Sequence, residues 1–484
     1  MKSLDQIAAE LQGYDPQAMT VHGVLDFLSR MVMPVRDVIE LPLFDALGRV
    51  LAYDVISPVD VPPHDNSAMD GYAFAAGQLV DNALLELQVI GTALAGKAWQ
   101  GGVGPGQCVK IMTGAVMPPG LDTVAPQEFV KVAETGGVHR VTIPPGVVRA
   151  GDNRRARGED LMKGQPALRK GELITPARLG LAASLGLEKL TTLRPLRVAY
   201  FSTGDEILSP GEAPREGAVY DSNRYTVFGL LSRLGCEIID LGVVRDDPAL
   251  LEAAFLTAAM QADAIITSGG VSVGEADYTR ALMKKLGDVA FWRIAMRPGR
   301  PMAVGRLQRA GSLQAGFAAR PPQGETAPLG GSEPHEVGSV GAGCAAGPPQ
   351  GETAPLGGSE PHEVGSVGAI LFGLPGNPVA VMVTFLAFVR PALLQMMGAN
   401  PELMPLLKAR SSEAIRKKPG RTEYQRGRVS TASDGSLQVK TTGSQGSGVL
   451  RSMAEANGLI VLHHAQGNVA VGDEVDVMMF DGVI

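Results

Sequence analysis

The sequence predicts a multidomain α/β protein with a central doubly wound, mostly parallel sheet. Strand-like apolar runs alternate with helix-like runs through much of residues 196–400, which is typical of βαβ units with helices on both faces of the sheet. On either side, at 59–148 and 401–484, short strand-like runs are separated by glycine and proline, as in small β domains. The length of 484 residues also indicates several domains, because an average domain has about 150 residues.

The opening of the chain is predicted to be helical. Apolar residues recur at helical spacing in 4–12 and 21–33, and Pro34 ends the second of these helices. Residues 44–58 are interpreted as a helix that turns into a strand.

The region after the opening helices is predicted to be split by an inserted domain. A helix expected at 176–185 would pack against the opening helices, so 1–58 and 149–195 would form one N-terminal domain of helices with some strand. Residues 59–148 would be a small β domain inserted into it. The strands expected in this inserted domain are 85–90, 108–112, 123–126 and 138–143.

The central and C-terminal domains follow in order. In the central domain we expect strand 198–201, helix 224–234, strand 237–241, helix 248–260, strand 264–267, helix 277–286, strands 289–294 and 302–306, a strand from 369 and a helix from 376 to 397. Residues 401–484 are predicted to form a small β barrel or sandwich with strands at 409–415, 422–430, 437–441, 458–462 and 473–478.

A tandem duplication interrupts the central domain between residues 307 and 368. The 22 residues 321–342 recur unchanged at 348–369, at an offset of 27. Solenoid repeats of similar period carry an apolar stripe, and these copies have almost none. Proline, glycine, serine and glutamate dominate, so we interpret the insert as a disordered, dispensable surface loop. His335 and His362 occupy matched positions, but no paired metal site is expected from them.

Composition and charge narrow the class of protein. A net charge of −7 gives no attraction of the whole molecule to nucleic acid or to a membrane, so neither is expected as a partner. The three cysteines, Cys108, Cys236 and Cys344, are too far apart for a disulfide framework or a zinc knuckle. We find no apolar run of signal-peptide or membrane-spanning length. A cytoplasmic protein is therefore expected.

Four glycine-rich loops each follow a predicted strand of the central domain. Loops at the carboxyl ends of parallel strands meet in one crevice, so the four loops predict one ligand site. Glycines allow close approach of the backbone, and helix N-termini favour anions. The loops are Ser202-Thr203-Gly204-Asp205-Glu206, 242–248, Ser268-Gly269-Gly270-Val271-Ser272-Val273-Gly274 and Gly373-Leu374-Pro375-Gly376-Asn377-Pro378.

The charged residues near these loops would suit a phosphate held together with Mg²⁺. Carboxylates are hard oxygen ligands for this ion, and arginines are forked donors for phosphate oxygens. For Asp205, Asp246 and Asp277 two interpretations stay open, because each can cap a turn or helix or reach a metal. The nearby arginines are Arg293, Arg297 and Arg300, and no Ser-His-Asp or Cys-His set is apparent.

Seven motifs follow one another along the chain. They are Asp65-Asn66-Ser67-Ala68-Met69-Asp70-Gly71-Tyr72, Met112-Thr113-Gly114, Arg157-Gly158-Glu159-Asp160, 202–206, 268–278, Arg297-Pro298-Gly299-Arg300-Pro301 and 374–378. In this order they resemble the molybdopterin molybdenumtransferase family, the MoeA-like enzymes of molybdenum cofactor synthesis. The resemblance covers nearly the whole chain outside 307–368.

The resemblance implies a four-domain homodimer that binds adenylylated molybdopterin and molybdate, cleaves the adenylate with Mg²⁺ present and leaves molybdenum on the pterin dithiolene. Its implied partners are a molybdopterin adenylyltransferase and downstream proteins that deliver the cofactor. The implied catalytic residues are Asp70, Thr113, Asp160, Glu206, Asp246 and Asp277, of which Glu206, Asp246 and Asp277 would hold the metal. The first three lie outside the doubly wound domain, so a second subunit would complete the site.

The residues expected to bind substrate come from the four glycine-rich loops and from the segment with Arg293, Arg297 and Arg300, which we call the arginine loop. They are Ser202, Thr203, Gly204, Ser268, Gly269, Gly270, Ser272, Gly274, Arg293, Arg297, Arg300, Pro375, Gly376 and Asn377. Where members of the family commonly carry lysine, this chain has the three arginines, which keep the charge but change its geometry. Two other functions stay open at this point: a related molybdopterin adenylyltransferase, and a pterin carrier or scaffold without catalysis.

Overall fold

The computed structural model describes residues 2–270, 277–308, 368–400 and 404–480, and it describes residues 277 and 278 by their backbone alone. Up to residue 195 the elements are α1 (Leu4–Glu10), α2 (Val21–Met31), β1 (Val38–Pro42), β2 (Val55–Ile56), β3 (Asn66–Ser67), β4 (Gly71–Phe74), β5 (Leu85–Ala93), β6 (Gln107–Ile111), β7 (Thr123–Pro126), β8 (Lys131–Thr135), β9 (Val138–Ile143), β10 (Arg154–Arg155), β11 (Pro166–Leu168), α3 (Pro176–Ser184) and β12 (Lys189–Leu193).

The remaining elements belong to the central and C-terminal regions. They are β13 (Arg197–Thr203), β14 (Ile207–Leu208), β15 (Val219–Tyr220), α4 (Ser222–Arg233), β16 (Glu237–Val244), α5 (Pro248–Gln261), β17 (Ala264–Ser268), α6 (Asp277–Leu286), β18 (Gly287–Arg293), β19 (Met296–Arg297), β20 (Pro301–Leu307), β21 (Ala369–Leu374), α7 (Pro378–Thr384), α8 (Arg390–Met396), β22 (Leu407–Ser411), β23 (Thr422–Thr431), β24 (Leu437–Thr441), α9 (Leu450–Ala454), β25 (Gly458–Leu462) and β26 (Glu474–Met479).

The central sheet has six strands in the order β16-β13-β17-β21-β20-β18. The first four are parallel, and β20 runs antiparallel to both of its neighbours. One apolar cluster includes residues of α4 and α7 and a second includes residues of α5 and α6, so helices cover both faces. The predicted fold class, a doubly wound and mostly parallel sheet within a multidomain α/β chain, is confirmed.

The opening helices pack on the central sheet. Ile7 of α1 and Phe27 of α2 belong to the same cluster as Tyr200 of β13, and Phe27 meets Trp292 of β18 edge to face at 4.8 Å between ring centroids. The Arg306 guanidinium donates a hydrogen bond to the Met31 carbonyl at 2.7 Å. These contacts attach α1 and α2 to the central unit.

Two local predictions for the N-terminal region are wrong. Helix α3 does not pack in the cluster of α1 and α2: its Ala182 lies in another cluster, with Leu51 and Leu168. Residues 44–58 contain a strand, β2, as expected, but in place of the expected helix they have only a short 3-10 turn, Leu43–Asp45. Long-range strand pairing outweighs the helical spacing there, because β1 pairs with β12 and β2 with β11.

The inserted region forms a six-stranded sheet in the order β7-β4-β6-β5-β9-β8. The strands predicted at 123–126 and 138–143 have those bounds, and β4 and β8 were missed. The C-terminal sheet closes on itself, because β23 pairs with both β24 and β25 and the remaining strands join them through β22 and β26. The predicted barrel is therefore present, whereas the proposed domain boundaries stay predictions.

The helix from Pro378 to Met396 is the central core helix of the second half of the chain. It comprises α7, a π-helical turn (Phe385–Val389) and α8. Its length and hydropathy would suffice to cross a membrane, but 78% of the apolar stretch is buried inside the protein. Val381 and Phe388 are fully buried, which is the behaviour of a core helix.

The duplicated segment joins two paired strands. Leu307 at the end of β20 pairs with Ala369 at the start of β21, so β20 and β21 form an antiparallel pair around residues 309–367. The predicted disorder of the insert concerns residues that lie outside those described. All six residues of β21 are buried, so this strand is intact beside the insertion point.

Candidate functional site

The carboxyl ends of four parallel strands lie side by side at one edge of the central sheet. Ser268 at the end of β17 pairs with Ser202 of β13 on one side and with Leu374 of β21 on the other. Thr203 of β13 pairs with Val244 at the end of β16. The four glycine-rich loops therefore leave the sheet as neighbours. We call this side the carboxyl edge and the opposite side the amino edge.

Asp205 links the first two loops. Its carboxylate accepts a hydrogen bond from the Asp246 backbone N–H at 3.3 Å. Its backbone carbonyl accepts from the Arg245 guanidinium at 2.9 Å and also from that of Arg215. The carboxylate of Asp205 thus bonds the loop that carries Glu206 to the loop that carries Asp246.

A buried cluster of hydroxyl groups lies directly beneath the carboxyl edge. The Tyr200 phenol bonds to the Ser202 hydroxyl at 2.9 Å and to the Ser268 hydroxyl at 2.7 Å, and the two serines are 3.2 Å apart. Both serines are at most 2% exposed, and burial raises the pKa of the Tyr200 phenol. Because these hydroxyls bond to one another in the interior, a ligand in the crevice would meet the backbone of these serines rather than their side chains.

The glycines of the crevice loops adopt conformations that other residues rarely take. Gly204 has a φ of 139°, Gly269 of 96° and Gly270 of 67°. A Cβ atom on Gly269 would lie 2.7 Å from the Thr203 carbonyl oxygen, so the two loops touch there. Ser272 and Gly274, the other expected ligand contacts of this loop, lie outside the described residues.

The three arginines lie at the same edge of the sheet. Ala303 of β20 pairs with Gly373 of β21, so the start of β20, next to Arg300, meets the carboxyl end of β21. Arg293 ends β18, which runs parallel to β21, and Arg297 lies in the connection between β18 and β20. All three side chains are exposed. The edge that carries the acids thus also carries positive charge.

Two glycine turns bring the arginine loop and the fourth crevice loop against helices. Gly299 has a φ of 90°, and a Cβ there would lie 2.4 Å from the Thr384 hydroxyl of α7. The Gly376 carbonyl accepts a hydrogen bond from the Asn223 side chain of α4 at 2.7 Å. Pro375, Gly376 and Asn377 therefore lie between the starts of α4 and α7, where Asn377 is the N-cap residue of α7.

A segment of the C-terminal barrel also reaches the start of α7, and the sequence analysis missed it. The Val379 backbone N–H donates to the Ser447 carbonyl at 3.1 Å. The segment 443–448 is rich in glycine and serine, as the crevice loops are. This composition could have marked the segment as a further crevice loop. The segment lies among strand-like runs and far from the central domain in sequence, so it was not recognised.

Arg426 of β23 holds this segment in place. Its side chain is 1% exposed and donates to the carbonyls of Ser444 and Gly446, each at 2.9 Å. Burial, with a smaller contribution from the charge of Arg297, lowers the pKa of the Arg426 guanidinium to about 10. The proximity of these two arginines places the barrel next to the arginine loop.

Asp70 and Thr113 come together on the inserted β domain. One Asp70 carboxylate oxygen accepts from both the backbone N–H and the hydroxyl of Thr113, each at 2.7 Å. These bonds, the hydroxyl's first, hold the pKa of the Asp70 carboxyl below its usual range. Asp160 lies in an exposed loop whose backbone bonds to Val61. Asp70 and Thr113 adjoin β4 and β6, which belong to a different sheet from β13 and β16, the strands that precede Glu206 and Asp246.

The acids of the carboxyl edge have the right chemistry for Mg²⁺. Glu206 and Asp246 stand on neighbouring loops and offer hard carboxylate oxygens. In the described part of the chain no group of three or more His, Cys, Asp or Glu residues is arranged to hold a metal. The third expected ligand, Asp277, is the first residue of α6, and its side chain is not among those described.

These features define a class of protein: a multidomain α/β chain whose doubly wound domain carries glycine loops, acids and arginines at one edge. Family profiles match residues 19–186 as the MoeA N-terminal region (domain I and II), 199–395 as a probable molybdopterin binding domain and 408–480 as the MoeA C-terminal region (domain IV). The chain belongs to the molybdopterin molybdenumtransferase (MoeA) family, and the predicted resemblance is confirmed.

Individual relatives agree with the family assignment. A molybdopterin molybdenumtransferase of Haemophilus influenzae is 36% identical and aligns over 92% of this chain and 94% of its own. Molybdopterin molybdenumtransferase 2 of Mycobacterium tuberculosis is 32% identical over 91% and 94%. A solved MoeA structure from Pyrococcus horikoshii covers 96% of this chain and 99% of its own, with a TM-score of 0.64 and 26% identity. A second, at 24% identity and a TM-score of 0.70 over 96% and 100%, shows the fold alone.

Proposed function

We propose that this protein transfers molybdenum from molybdate to adenylylated molybdopterin and releases AMP. The observation that supports this most strongly is the family match along the whole chain, in which the relatives are named molybdopterin molybdenumtransferases. The carboxyl edge supports it further, because it combines groups suited to a pyrophosphate and an oxyanion: bare glycine backbone, acids and exposed arginines.

The acids of the carboxyl edge are proposed to hold Mg²⁺. Glu206, Asp246 and Asp277 would be its protein ligands, and the ion, when bound, would neutralise charge on the phosphate oxygens. The link through Asp205 would keep the loops of Glu206 and Asp246 at a fixed separation. Arg293, Arg297 and Arg300 would orient the anionic groups through their forked donors.

The site is proposed to be shared between two copies of the chain. Asp70 and Thr113 adjoin strands of the sheet of the inserted β domain, and Asp160 lies in a loop that follows this domain, so none of the three belongs to the central sheet. Asp70 is partly exposed and kept charged by Thr113, which suits a role facing a ligand or metal bound elsewhere. A second copy would bring this group to the carboxyl edge.

The reaction is tested by mixing the protein with adenylylated molybdopterin, molybdate and Mg²⁺ and measuring AMP. We expect AMP release that requires molybdate and is abolished by a chelator. No AMP release by the folded protein would refute the proposal. Consumption of ATP in the absence of molybdate would instead identify a molybdopterin adenylyltransferase.

The shared site is tested by mixing two inactive variants, Asp70→Asn and Asp277→Asn. In a mixed dimer one of the two sites combines Asp277 of one copy with Asp70 of the other, so roughly a quarter of wild-type activity should return after random exchange. If each copy held a complete site, mixing would restore nothing.

The cellular setting is proposed from the same chemistry. We propose a cytoplasmic homodimer that receives its substrate from a molybdopterin adenylyltransferase and passes its product to proteins that deliver the cofactor. Co-purification of the protein with an adenylyltransferase, tested with tagged chains in cells making the cofactor, would support the first contact.

A further inference from the structure

A cleft outside the proposed crevice lies along the outer strand of the central sheet. It has a volume of about 540 Å³ and is bounded by the segment after α1, by one face of α6 and by β18. Its principal lining residues are Tyr14, Pro16, Gln17, Arg280, Lys284 and Phe291. A volume in this range suits a small molecule.

The walls of the cleft are held in place by bonds to β18. The Arg293 backbone N–H donates to the Pro16 carbonyl at 2.8 Å, and the Met19 N–H donates to the Arg293 carbonyl at 3.0 Å. The Trp292 indole N–H donates to the Tyr14 hydroxyl at 3.2 Å. The segment that forms one wall is thus attached to the end of β18 by three hydrogen bonds, so this wall is preformed.

The cleft is positively charged and partly aromatic. The Arg280 guanidinium lies 4.5 Å from the centroid of the Phe291 ring, and Lys284 is one turn further along the same face of α6. Neither cation forms an ion pair within the described chain, whereas the neighbouring Lys285 bonds to Glu252 at 2.7 Å. None of the described residues that line the cleft is acidic.

The cleft starts close to the carboxyl edge. Arg280 is three residues after Asp277, about 4.5 Å along the helix axis, and Phe291 is two residues before Arg293 at the end of β18. A ligand in the cleft would therefore be a neighbour of groups held in the crevice. A ligand with an aromatic ring next to Arg280 and Phe291 and a phosphate near Lys284 would match both the aromatic and the positively charged parts of the lining.

We propose that this cleft binds a nucleoside monophosphate. The choice of AMP as the probe rests on the proposed function, since AMP is the product of that reaction, but the binding site itself follows from the charge, rings and volume of the cleft. Gln17 would supply an amide for polar atoms of the base or sugar.

The test uses Trp292 as a reporter of occupancy. The chain has two tryptophans, so Trp99→Phe leaves only the one that bonds to Tyr14. AMP, adenosine and inorganic phosphate are titrated into this variant with a chelator present, which keeps metal-dependent binding in the crevice out of the measurement. We expect a saturable fluorescence change with AMP and binding at least about tenfold weaker for adenosine and for phosphate.

Matched substitutions on α6 locate the site. Arg280→Gln and Lys284→Gln should each weaken AMP binding about tenfold, whereas Lys285→Gln, whose side chain pairs with Glu252 outside the cleft, should leave it unchanged. Thermal unfolding of each variant shows whether the fold is kept, and Arg280→Lys should recover part of the affinity if charge is what matters.

Three results would overturn the inference: no fluorescence change with AMP, equal losses in the Lys285 and Lys284 variants, or equal binding of adenosine and AMP. Each can occur while the enzyme still releases AMP from its substrate with Mg²⁺ and molybdate. Conversely, AMP can bind the cleft of a protein that fails the molybdenum-transfer assay, so the two proposals fail separately.

Discussion

The carboxyl and amino edges of the central sheet should differ in how well they tolerate substitutions and insertions. At the carboxyl edge, the Gly269 backbone approaches Thr203 so closely that an added methyl group would lie 2.7 Å from a carbonyl oxygen. At the amino edge, residues 309–367 enter between Leu307 and Ala369 without disturbing the pairing of β20 with β21.

The difference shows that tolerance depends on what surrounds a connection, not on its length. At the carboxyl edge four loops contact one another, an arginine loop and the ends of helices, so each backbone position is constrained by several partners. A hairpin connection at the amino edge needs only its two ends to be adjacent, and loop length adds a closure cost that grows slowly. One methyl group should therefore do more damage than the whole insert.

Gly269→Ala should have the largest effect. Alanine at a φ of 96° is strained, and its Cβ would meet the Thr203 carbonyl. We expect about 2 kcal/mol or more of lost stability and, because the crevice loops would shift, about a hundredfold loss of AMP release. Denaturant unfolding and the turnover assay measure the two effects.

The control for Gly269 is Gly229→Ala. Gly229 is exposed in α4, and a Cβ there would meet nothing within 4 Å. Alanine should raise the stability by up to about 1 kcal/mol, since it favours a helix over glycine. Equal losses at both positions would mean that the carboxyl edge is no more constrained than an exposed helix.

Tyr200→Phe should have the next largest effect. The change removes the phenol that bonds to Ser202 and Ser268 and leaves these buried hydroxyls with only each other at 3.2 Å. We expect a loss of about 1–2 kcal/mol in the free energy of unfolding, with the fold kept. A tyrosine at the neighbouring position, Phe201→Tyr, would not restore these bonds. Phe201 faces the opposite side of the sheet, where it packs among α5 residues. Unchanged stability would show that the hydroxyl cluster does not support the edge.

Thr113→Val tests the other part of the proposed site. The folded pKa of Asp70 is lowered, so this carboxylate stabilises the protein above its unfolded pKa, and that contribution is lost as the pH falls through the folded pKa. Valine removes the hydroxyl bond, so the Asp70 pKa should rise toward its usual value. A carboxyl NMR titration measures this, and Thr113→Ser should keep the low pKa.

Removal of the insert should have the smallest effect on activity. With residues 309–367 deleted and Gln308→Asn, an Asn-Gly pair would connect Leu307 to Ala369, which is a favoured two-residue hairpin loop. We expect turnover within about twofold of the full chain and no fall in unfolding temperature, because each halving of loop length favours the folded state by about 0.6 kcal/mol. A large loss would show that the amino edge is as sensitive as the carboxyl edge.

Alternation of apolar runs was enough to predict the central sheet and the barrel, because those strands are long and buried on one or both faces. The pairing of short strands was not predictable in this way. β2 and β11 have two and three residues and pair across more than a hundred positions, so their local sequence carries little periodic signal. The same pairings explain the absence of the helix expected at 44–58.

The location of the site could be predicted from the sequence, but the direction of its side chains could not. Glycine loops after strands marked the carboxyl edge, but the inward direction of Ser202 follows from Tyr200 two positions earlier, since alternate residues of a strand share a face. The segment 443–448 could not be placed next to the crevice from the sequence, because its contact with α7 joins positions far apart in the chain. The role of Arg426, which holds this segment, could not be predicted for the same reason. Only the folded chain shows that the barrel reaches this edge.

The pairing of β19 with β23 has a mechanical consequence. Arg297 belongs to the loop beside the crevice and also to β19, where it pairs with Glu423 of the barrel strand β23. A rigid tilt of the barrel would therefore carry this arginine with it and change its distance from the glycine loops. The position of Arg297 beside the crevice is thus fixed by the barrel as well as by the central domain.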